Sequence, residues 1–536
     1  MKNRKQLLLL IAFLPVFAFP QGYLHTNGKD IVNGQGENVI LRGIGTGNWM
    51  LMEGYMMKTE GEYNLGTQHE IRAKLIEEMG TANTDTFFDT WHENHFTRTD
   101  VDSMKRWGFN SVRVALHYKL FTLPIEDEPV SGENTWLEKG FAMTDSLLNW
   151  CADNEMYLIL DLHGAPGGQG ANADICDYDP SKPSLWESQE NKDKTVALWR
   201  KLAERYSNET WIGGYDLINE TNWDLPPNNQ PLRDLFEDIT EAIREVDTNH
   251  IIFIEGNSFA NDFNGLTPPW DDNMVYSFHK YWSGTGPSDL DWILELRDQY
   301  DVPLWMGESG ENGNAWFTDL IDLCESNNIG WSWWPVKKNG LNNVLAVELP
   351  GSYDTLVKVW KGELNLTLSE DQVFNAVMDW AESHKIENCE VKYDVIDAMI
   401  RQPHSDETLP YTENKLTEPI FFSDYDLGRH GFAYEDKDIA YYGGEWTAWN
   451  NGWSYRSDGV DIEECADEAG TTNGYNVGWT EDDEWMMYTL EADSTAAYTL
   501  EVRSASGHTS GSDFYLEANG VRVSDVLSLP ATGGWQ

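Results

Sequence analysis

The chain places an amide and a carboxylate, Asn219-Glu220, at the tip of an apolar run, Gly214–Ile218. It places a second carboxylate, Glu308, after another, Pro303–Gly307. Other chemically capable side chains stand on or after similar runs. Arg113 lies within Ser111–Leu116, His163 follows Tyr157–Leu162, His279 and Tyr281 follow Met274–Phe278, and Ile329–Trp334 carries Trp331, Trp333 and Trp334. Singly, each has a plain structural role. His163 could satisfy a backbone carbonyl, Glu220 could cap the next helix, and Glu308 could be a solvated rim charge. Their coincidence at the ends of several strands weakens that reading. Two carboxylates with stacking aromatics suit cleavage of a glycosidic bond. One carboxyl group protonates the leaving oxygen, while the other, ionised, attacks or stabilises the anomeric carbon. Neighbours can separate the two pKa values: Tyr or Arg donors lower one, and apolar walls raise the other. The apolar approach Leu217-Ile218 predicts poor solvation and a protonated form at Glu220.

Something must hold these residues on one rim. Eight short, nearly continuous apolar runs recur, adding Val39–Ile44 and His250–Glu255 to those above, as expected for parallel strands buried on both faces. Segments between them show a helical period, clearest in Leu232, Leu235, Phe236, Ile239, Ala242, Ile243 and Val246, and weaker in Val196, Trp199, Leu202, Ala203 and Tyr206. The pattern predicts an α/β fold, a (β/α)8 TIM barrel with its site at the C-terminal strand ends. A doubly wound sheet is the alternative, but Gly43-Ile-Gly-Thr-Gly47 is not its Gly-rich phosphate turn. Gln402–Glu418 is polar and aperiodic and reads as a linker, after which Gly, Asp, Tyr and Trp dominate short alternating runs. The expected organisation is a signal peptide at 1–18, a barrel domain at 22–395, a linker at 396–420, and a β-sandwich (jelly-roll) module at 421–536. That module reads as truncated before its closing strand.

Composition narrows the partners. Lys+Arg is 37 against Asp+Glu 90 in 536 residues, a formal net charge of −53, which argues against nucleic acid or an anionic membrane but does not repel a neutral polymer. Tryptophan is abundant at 25, and an unselected one packs a core more often than it stacks on a sugar. Lys2, Arg4 and Lys5 precede the apolar run Leu7–Phe19, with Val16-Phe17-Ala18 as a cleavage site, so a secreted protein (extracellular or periplasmic) is expected, and a monomer. Cys151, Cys176, Cys324, Cys389 and Cys465 show no metal rhythm and allow at most two disulfides. His92-Glu-Asn-His95 has the wrong spacing for zinc. Asp174, Asp177 and Asp179 suggest calcium less than a solvated acidic loop.

At these same positions the chain resembles glycoside hydrolase family 5, the cellulase-type (β/α)8 glycosidases. The segments carrying the resemblance are Leu41-Arg-Gly-Ile-Gly-Thr-Gly-Asn-Trp49, Asn110-Ser-Val-Arg-Val114, Asp161-Leu-His-Gly-Ala-Pro-Gly167, Leu217-Ile-Asn-Glu220, His279-Lys-Tyr281, Trp305-Met-Gly-Glu308 and Gly330-Trp-Ser-Trp-Trp334. The resemblance implies a retaining mechanism without cofactor or catalytic metal, with Glu220 as acid/base and Glu308 as nucleophile. It implies that Asn219 binds the sugar 2-hydroxyl, Tyr281 orients Glu308, and Arg113, His163 and His279 hold the network. Trp334, followed by Lys337 at the family's spacing, would floor the central subsite, with Trp331 as the alternative on the opposite face. Thr221 departs from the Pro of many members.

The family's substrates imply β-1,4-glucan first. The alternatives are β-1,3- or β-1,6-glucan, by endo or exo action, and mannan, from plant, algal or fungal polysaccharide. A non-catalytic glycan-binding barrel is the rival of a different class. The C-terminal segments Asp458-Gly-Val-Asp-Ile-Glu463, Gly474-Tyr-Asn-Val-Gly-Trp479, Glu484-Trp-Met-Met-Tyr-Thr489 and Pro530-Ala-Thr-Gly-Gly-Trp-Gln536 resemble carbohydrate-binding module family 6. That resemblance implies that Trp479 and Trp535 sandwich a sugar, that Trp485 packs the core, and that structural calcium is the one metal to consider.

Overall fold

A computed structural model describes residues 22–60, 65–437, 439, 454–468, 470–507, 509 and 511–534. The expected leader and Trp535 lie outside them. Eight strands pair in chain order into a closed, parallel barrel: β1 (Arg42–Gly45), β2 (Ser111–His117), β3 (Tyr157–Gly164), β4 (Ile212–Asp216), β5 (Ile251–Glu255), β6 (Met274–Lys280), β7 (Leu304–Gly310) and β8 (Gly330–Trp334). Every residue of β2 to β8 is buried, which is why these runs are apolar on both faces rather than alternating. The expected barrel is therefore the observed one, with two strands displaced. The first begins at Arg42 because the Val39 N–H instead bonds to the Ile31 carbonyl at 2.8 Å, beside the N-terminal hairpin. The fourth ends at Asp216, and Leu217 and Ile218, fully buried, lie beyond it. There the Leu217 N–H donates to Phe253 and the Asn219 N–H to Leu162, each at 3.2 Å, so the chain crosses toward its neighbours' ends.

The helices follow from amphipathic periods and local caps. They are α1 (Gln68–His95), α2 (Arg98–Trp107), α3 (Glu138–Asp153), α4 (Gln189–Tyr206), α5 (Gln230–Arg244), α6 (Asp291–Tyr300), α7 (Asn314–Ser326), α8 (Gly351–Trp360) and α9 (Glu370–Ser383). On α5, Leu232, Leu235, Phe236, Ile239 and Ile243 are buried, as their spacing predicts. Thr67 and Glu70 form a capping box at the start of α1. That helix packs on α8 and α9 through a cluster in which Trp91, Tyr353 and Trp380 are central. Lys337, just after β8, is buried against the same end of α1. Its ammonium lies 2.7 Å from an Asp100 oxygen and donates to the His95 and His384 carbonyls at 2.7 and 2.8 Å. Its place in the sequence motif is thus explained by structure rather than by chemistry.

Loops at the C-terminal strand ends are braced by Asp177, which corrects the expectation of a solvated acidic loop. Asp177 is buried, accepts from the His69 backbone N–H at 2.7 Å, and meets His69 Nδ1, His117 Nε2 and Lys119 Nζ at 2.8, 3.1 and 2.7 Å. Burial would raise its pKa, but hydrogen bonds from His117 and His69 and the charge of Lys119 outweigh that and hold it well below the usual aspartate range.

The chain divides into two compact units. One comprises 1–281, 286–310 and 323–391, and the other 282–285, 311–322 and 392–536. Within the second, the stretch expected as linker is partly ordered. Tyr393–Ile400 is helical, with Val395 and Met399 buried, Gln402 and Pro403 are buried, and Asn414–Lys415 pairs with Leu490–Glu491. The module beyond is strand-rich. Ile462–Glu464 pairs with Tyr475–Val477, Tyr434–Glu435 with Trp485–Met486, and Ser512–Phe514 with Leu527–Leu529, all antiparallel. Its core is Tyr425, Ala433, Tyr434, Val460 and Ile462. Arg456 lies 3.7 Å over the Tyr425 ring and pairs with Asp458 at 2.6 Å. The five cysteines are free thiols, and no described helix is long and apolar enough to cross a membrane.

Two stability outcomes follow from the buried pairs. Lys337→Ala strands the Asp100 charge and should lower the unfolding free energy by about 3–5 kcal/mol in denaturant titration, while Lys337→Met with Asp100→Leu recovers much of it. Asp177→Asn should cost on the order of 3 kcal/mol near neutral pH. Because a depressed carboxyl pKa stabilises fully above the unfolded value and loses its effect as pH falls toward the folded one, the gap from wild type should shrink below about pH 4.

Candidate active site

The residues singled out in the sequence converge inside the C-terminal mouth of the barrel. Arg113 rises from β2 and is 1 % exposed. Its Nη1 donates to Glu308 Oε2 at 2.7 Å, its Nε to Asp216 Oδ2 at 3.0 Å, and its Nη2 to both Asn219 Oδ1 and Glu255 Oε1 at 2.8 Å. Asp161 Oδ2 lies 3.3 Å from Nη2. Burial alone would lower its pKa, but the surrounding carboxylates hold it well above the ordinary value. The neutralising charge is therefore spread over four strands, β3, β4, β5 and β7.

Hydrogen bonding orients the rest. Since Asn219 Oδ1 accepts from Arg113, its Nδ2 faces His163 Nε2, 3.3 Å away. His163 Nδ1 then donates to Asp161 Oδ2 at 2.8 Å, which sets a single tautomer. The Gln169 amide donates to the backbone carbonyls of His163 and Asn219 at 2.7 and 2.8 Å, tying the two strand ends together. The His163 ring stacks on Trp334 with centroids 4.8 Å apart and an interplanar angle of 7°. Trp334 also donates to the Tyr55 hydroxyl at 3.1 Å. It can lie there because Gly45 and Gly47 carry no side chains: a Cβ on either would come within 2.6 and 2.7 Å of Trp334 and Pro335 atoms respectively. Tyr178 and Trp223 meet edge to face on the loops beyond β3 and β4, 5.5 Å apart.

Glu220 and Glu308 are neighbours. His279 bridges them: its Nδ1 is 2.7 Å from Glu220 Oε1 and 4.0 Å from Glu308 Oε1. One oxygen of each glutamate and a His279 nitrogen all lie within 4.8 Å of one another. The Tyr281 hydroxyl donates to Glu308 Oε1 at 2.9 Å. Burial, then the nearby Glu220, raises the Glu308 pKa against the opposing pull of His279 and Arg113. Burial disfavours charged His279, but Glu255 and Glu308 outweigh it and raise its pKa well above the usual range. A second trio, Asp161, Asp216 and Glu255, is equally close, but all three face the Arg113 guanidinium, which supplies the cation a metal would provide.

Trp331 is a correction. It points out of the barrel, fully buried, donating to Glu325 Oε1 at 2.9 Å and packing edge-on to Phe109, because alternation along β8 turns it away from the mouth that Trp334 faces. In the second unit, Trp479 is 38 % exposed with a left-handed φ of 46°, and Trp485, expected in the core, is 39 % exposed opposite Glu435. Reading the residue after each strand overlooked Asp216 and Glu255, which are the last residues of β4 and β5. A carboxylate ending an otherwise apolar run was the available signal.

Comparison with known proteins agrees with this architecture. Residues 73–340 match the family model Cellulase (glycosyl hydrolase family 5), and residues 452–536 match Carbohydrate binding module (family 6). The chain is 28 % identical over 372 residues to a β-xylosidase of Phanerodontia chrysosporium, covering 63 % of this chain and 75 % of that one. It is 26 % identical over 317 residues to endoglucanase C of Acetivibrio thermocellus, covering 47 % and 88 %. It is also 26 % identical over 251 residues to a probable glucan 1,3-β-glucosidase A of Aspergillus fumigatus, covering 46 % and 56 %. With half its length matched by the family model, the chain belongs to glycosyl hydrolase family 5, glycoside hydrolases that need no cofactor for catalysis, and it carries a family 6 carbohydrate-binding module.

Proposed function

We propose that the protein is an exported, retaining hydrolase of β-linked glucan, with β-1,4-glucan its first substrate, and that Glu220 is its acid/base and Glu308 its nucleophile. The observation that carries this reading is the approach of Glu220 and Glu308, with oxygens within 4.8 Å. Retaining enzymes hold their carboxyl groups about 5–5.5 Å apart, whereas inverting ones leave about 6.5–9.5 Å for a water. In this reading Glu220 delivers the proton, and the Arg113 and Tyr281 bonds hold Glu308 and aim it at the anomeric carbon. Glu308 attacks the anomeric carbon as Glu220 passes its proton to the departing oxygen. Glu220, now a carboxylate beside His279, then takes a proton from water as the water attacks the same carbon and frees Glu308. Asn219 meets the sugar 2-hydroxyl, and Trp334 floors the subsite. Trp479, with Trp535, holds the polymer on the module.

The substrate preference rests on the family's cellulase model, while the β-xylosidase and 1,3-β-glucosidase relatives justify testing xylan and β-1,3-glucan beside cellulose, β-1,6-glucan and mannan. Soluble products from that panel decide linkage and endo or exo action together, and hydrolysis of mannan or xylan alone would overturn the glucan assignment. Glu308→Gln should abolish turnover with the circular dichroism unchanged, and Glu220→Gln should slow it about 10²–10⁴-fold. Proton NMR of the first product should show the β anomer before mutarotation; the α anomer would refute retention. Because Glu308 must be ionised and its pKa is raised, the acid limb of kcat/KM should lie above the ordinary glutamate value, activity rising with pH through it.

A further inference from the structure

We infer that Glu255 is a positioning residue for the proton donor, holding both the backbone and the carboxyl group of Glu220 in their working places. The inference rests on the acid/base role proposed for Glu220. Glu255 ends β5 and is 1 % exposed. Its Oε2 accepts the Glu220 backbone N–H at 2.7 Å. Glu220 has a left-handed φ of 40°, a conformation that a non-glycine residue keeps only when its surroundings impose it. The other oxygen, Oε1, lies 3.2 Å from His279 Nε2, and the far nitrogen of that ring meets Glu220 Oε1 at 2.7 Å. One carboxylate thus holds the Glu220 amide by a hydrogen bond and, by ion-pair distance, the imidazole that meets its side chain. Oε1 also accepts from Arg113 Nη2, at 2.8 Å, and Arg113 holds Glu308, so the same group helps set the spacing of the glutamate pair.

A simpler role is available: Glu255 could serve only as counter-charge to Arg113, which Asp161 and Asp216 also neutralise. The two roles differ in what they do to different leaving groups. A dinitrophenolate departs without a proton, whereas a phenol or a sugar needs the acid. Glutamine at 255 cannot accept from both the Glu220 amide and Arg113, which meet different oxygens, since one of its two terminal atoms is a donor, and it carries no charge to face His279. The test measures kcat/KM of the full-length enzyme, Glu255→Gln and Glu220→Gln on 2,4-dinitrophenyl and phenyl β-cellobioside, or on the same aryl glycosides of whichever sugar the substrate panel releases.

For Glu255→Gln, a loss of about 10²-fold on the phenyl glycoside but only a few-fold on the dinitrophenyl one is expected. Equal losses on both would overturn the positioning role and leave counter-charge. If Glu220→Gln itself shows no leaving-group split, the acid assignment fails, and the role of Glu255 falls with it. Should Glu255→Gln not fold, Glu255→Asp, which keeps the charge but shortens the reach, carries the same comparison. A split of the same sign supports the proposal, and equal losses refute it.

Discussion

Arg113 is buried, and Asp161, Asp216, Glu255 and Glu308 each bring an oxygen within ion-pair distance of its guanidinium. A buried charge so surrounded is costly to desolvate, and the surrounding carboxylates are equally costly without it. Neither side is tolerable alone, which makes the cluster a constraint on the whole barrel interior. Burial and the charge of Glu255 push the Asp216 pKa well up against the pull of Arg113. Glu255 goes the other way, down to about 2, because His279 and Arg113 outweigh its burial. These opposite responses come from place: of Asp161, Asp216 and Glu255, Glu255 is the one within ion-pair distance of both Arg113 and His279.

The same arrangement gives Glu220 and Glu308 different surroundings. Glu308 meets two donors, Arg113 and Tyr281, which offset part of the rise that burial and Glu220 impose on its pKa. Glu220 meets a single histidine, and its backbone is bent out of the ordinary range just where the chain leaves β4. Leu217 and Ile218, its apolar approach, are buried, and its polar neighbours His279 and Glu255 come from the next strands around the barrel.

Much of the fold was legible because parallel strands buried on both faces leave uninterrupted apolar runs, and eight of them with helical spacers admit few closures. The site was legible where a polar residue broke such a run at its end, as Glu220, Glu308 and His163 do. It was less legible where the polar residue was counted as part of the strand, as with Asp216 and Glu255, or where one strand carried several tryptophans. Trp331 and Trp334 differ only in the side of β8 they take, and local sequence does not state which side faces the mouth. Asp177 was misread for another reason: its partners His69, His117 and Lys119 are far along the chain, so a run of acids looked solvated when one of them was at the centre of a brace.

Arg113, Asp161, Asp216, Glu255, His279 and Glu308 sit on β2, β3, β4, β5, β6 and β7, one to each consecutive strand. No hairpin, half-barrel or other local fragment contains enough of them to satisfy its own charges away from water. In an open sheet these groups would turn outward and be hydrated one by one, and only ring closure brings each its counterpart. Assembly and function are therefore joined in time: a folding intermediate lacking any one of these strands has no rudimentary site to improve upon, and gene fragments of this barrel cannot be expected to retain a weaker version of its chemistry.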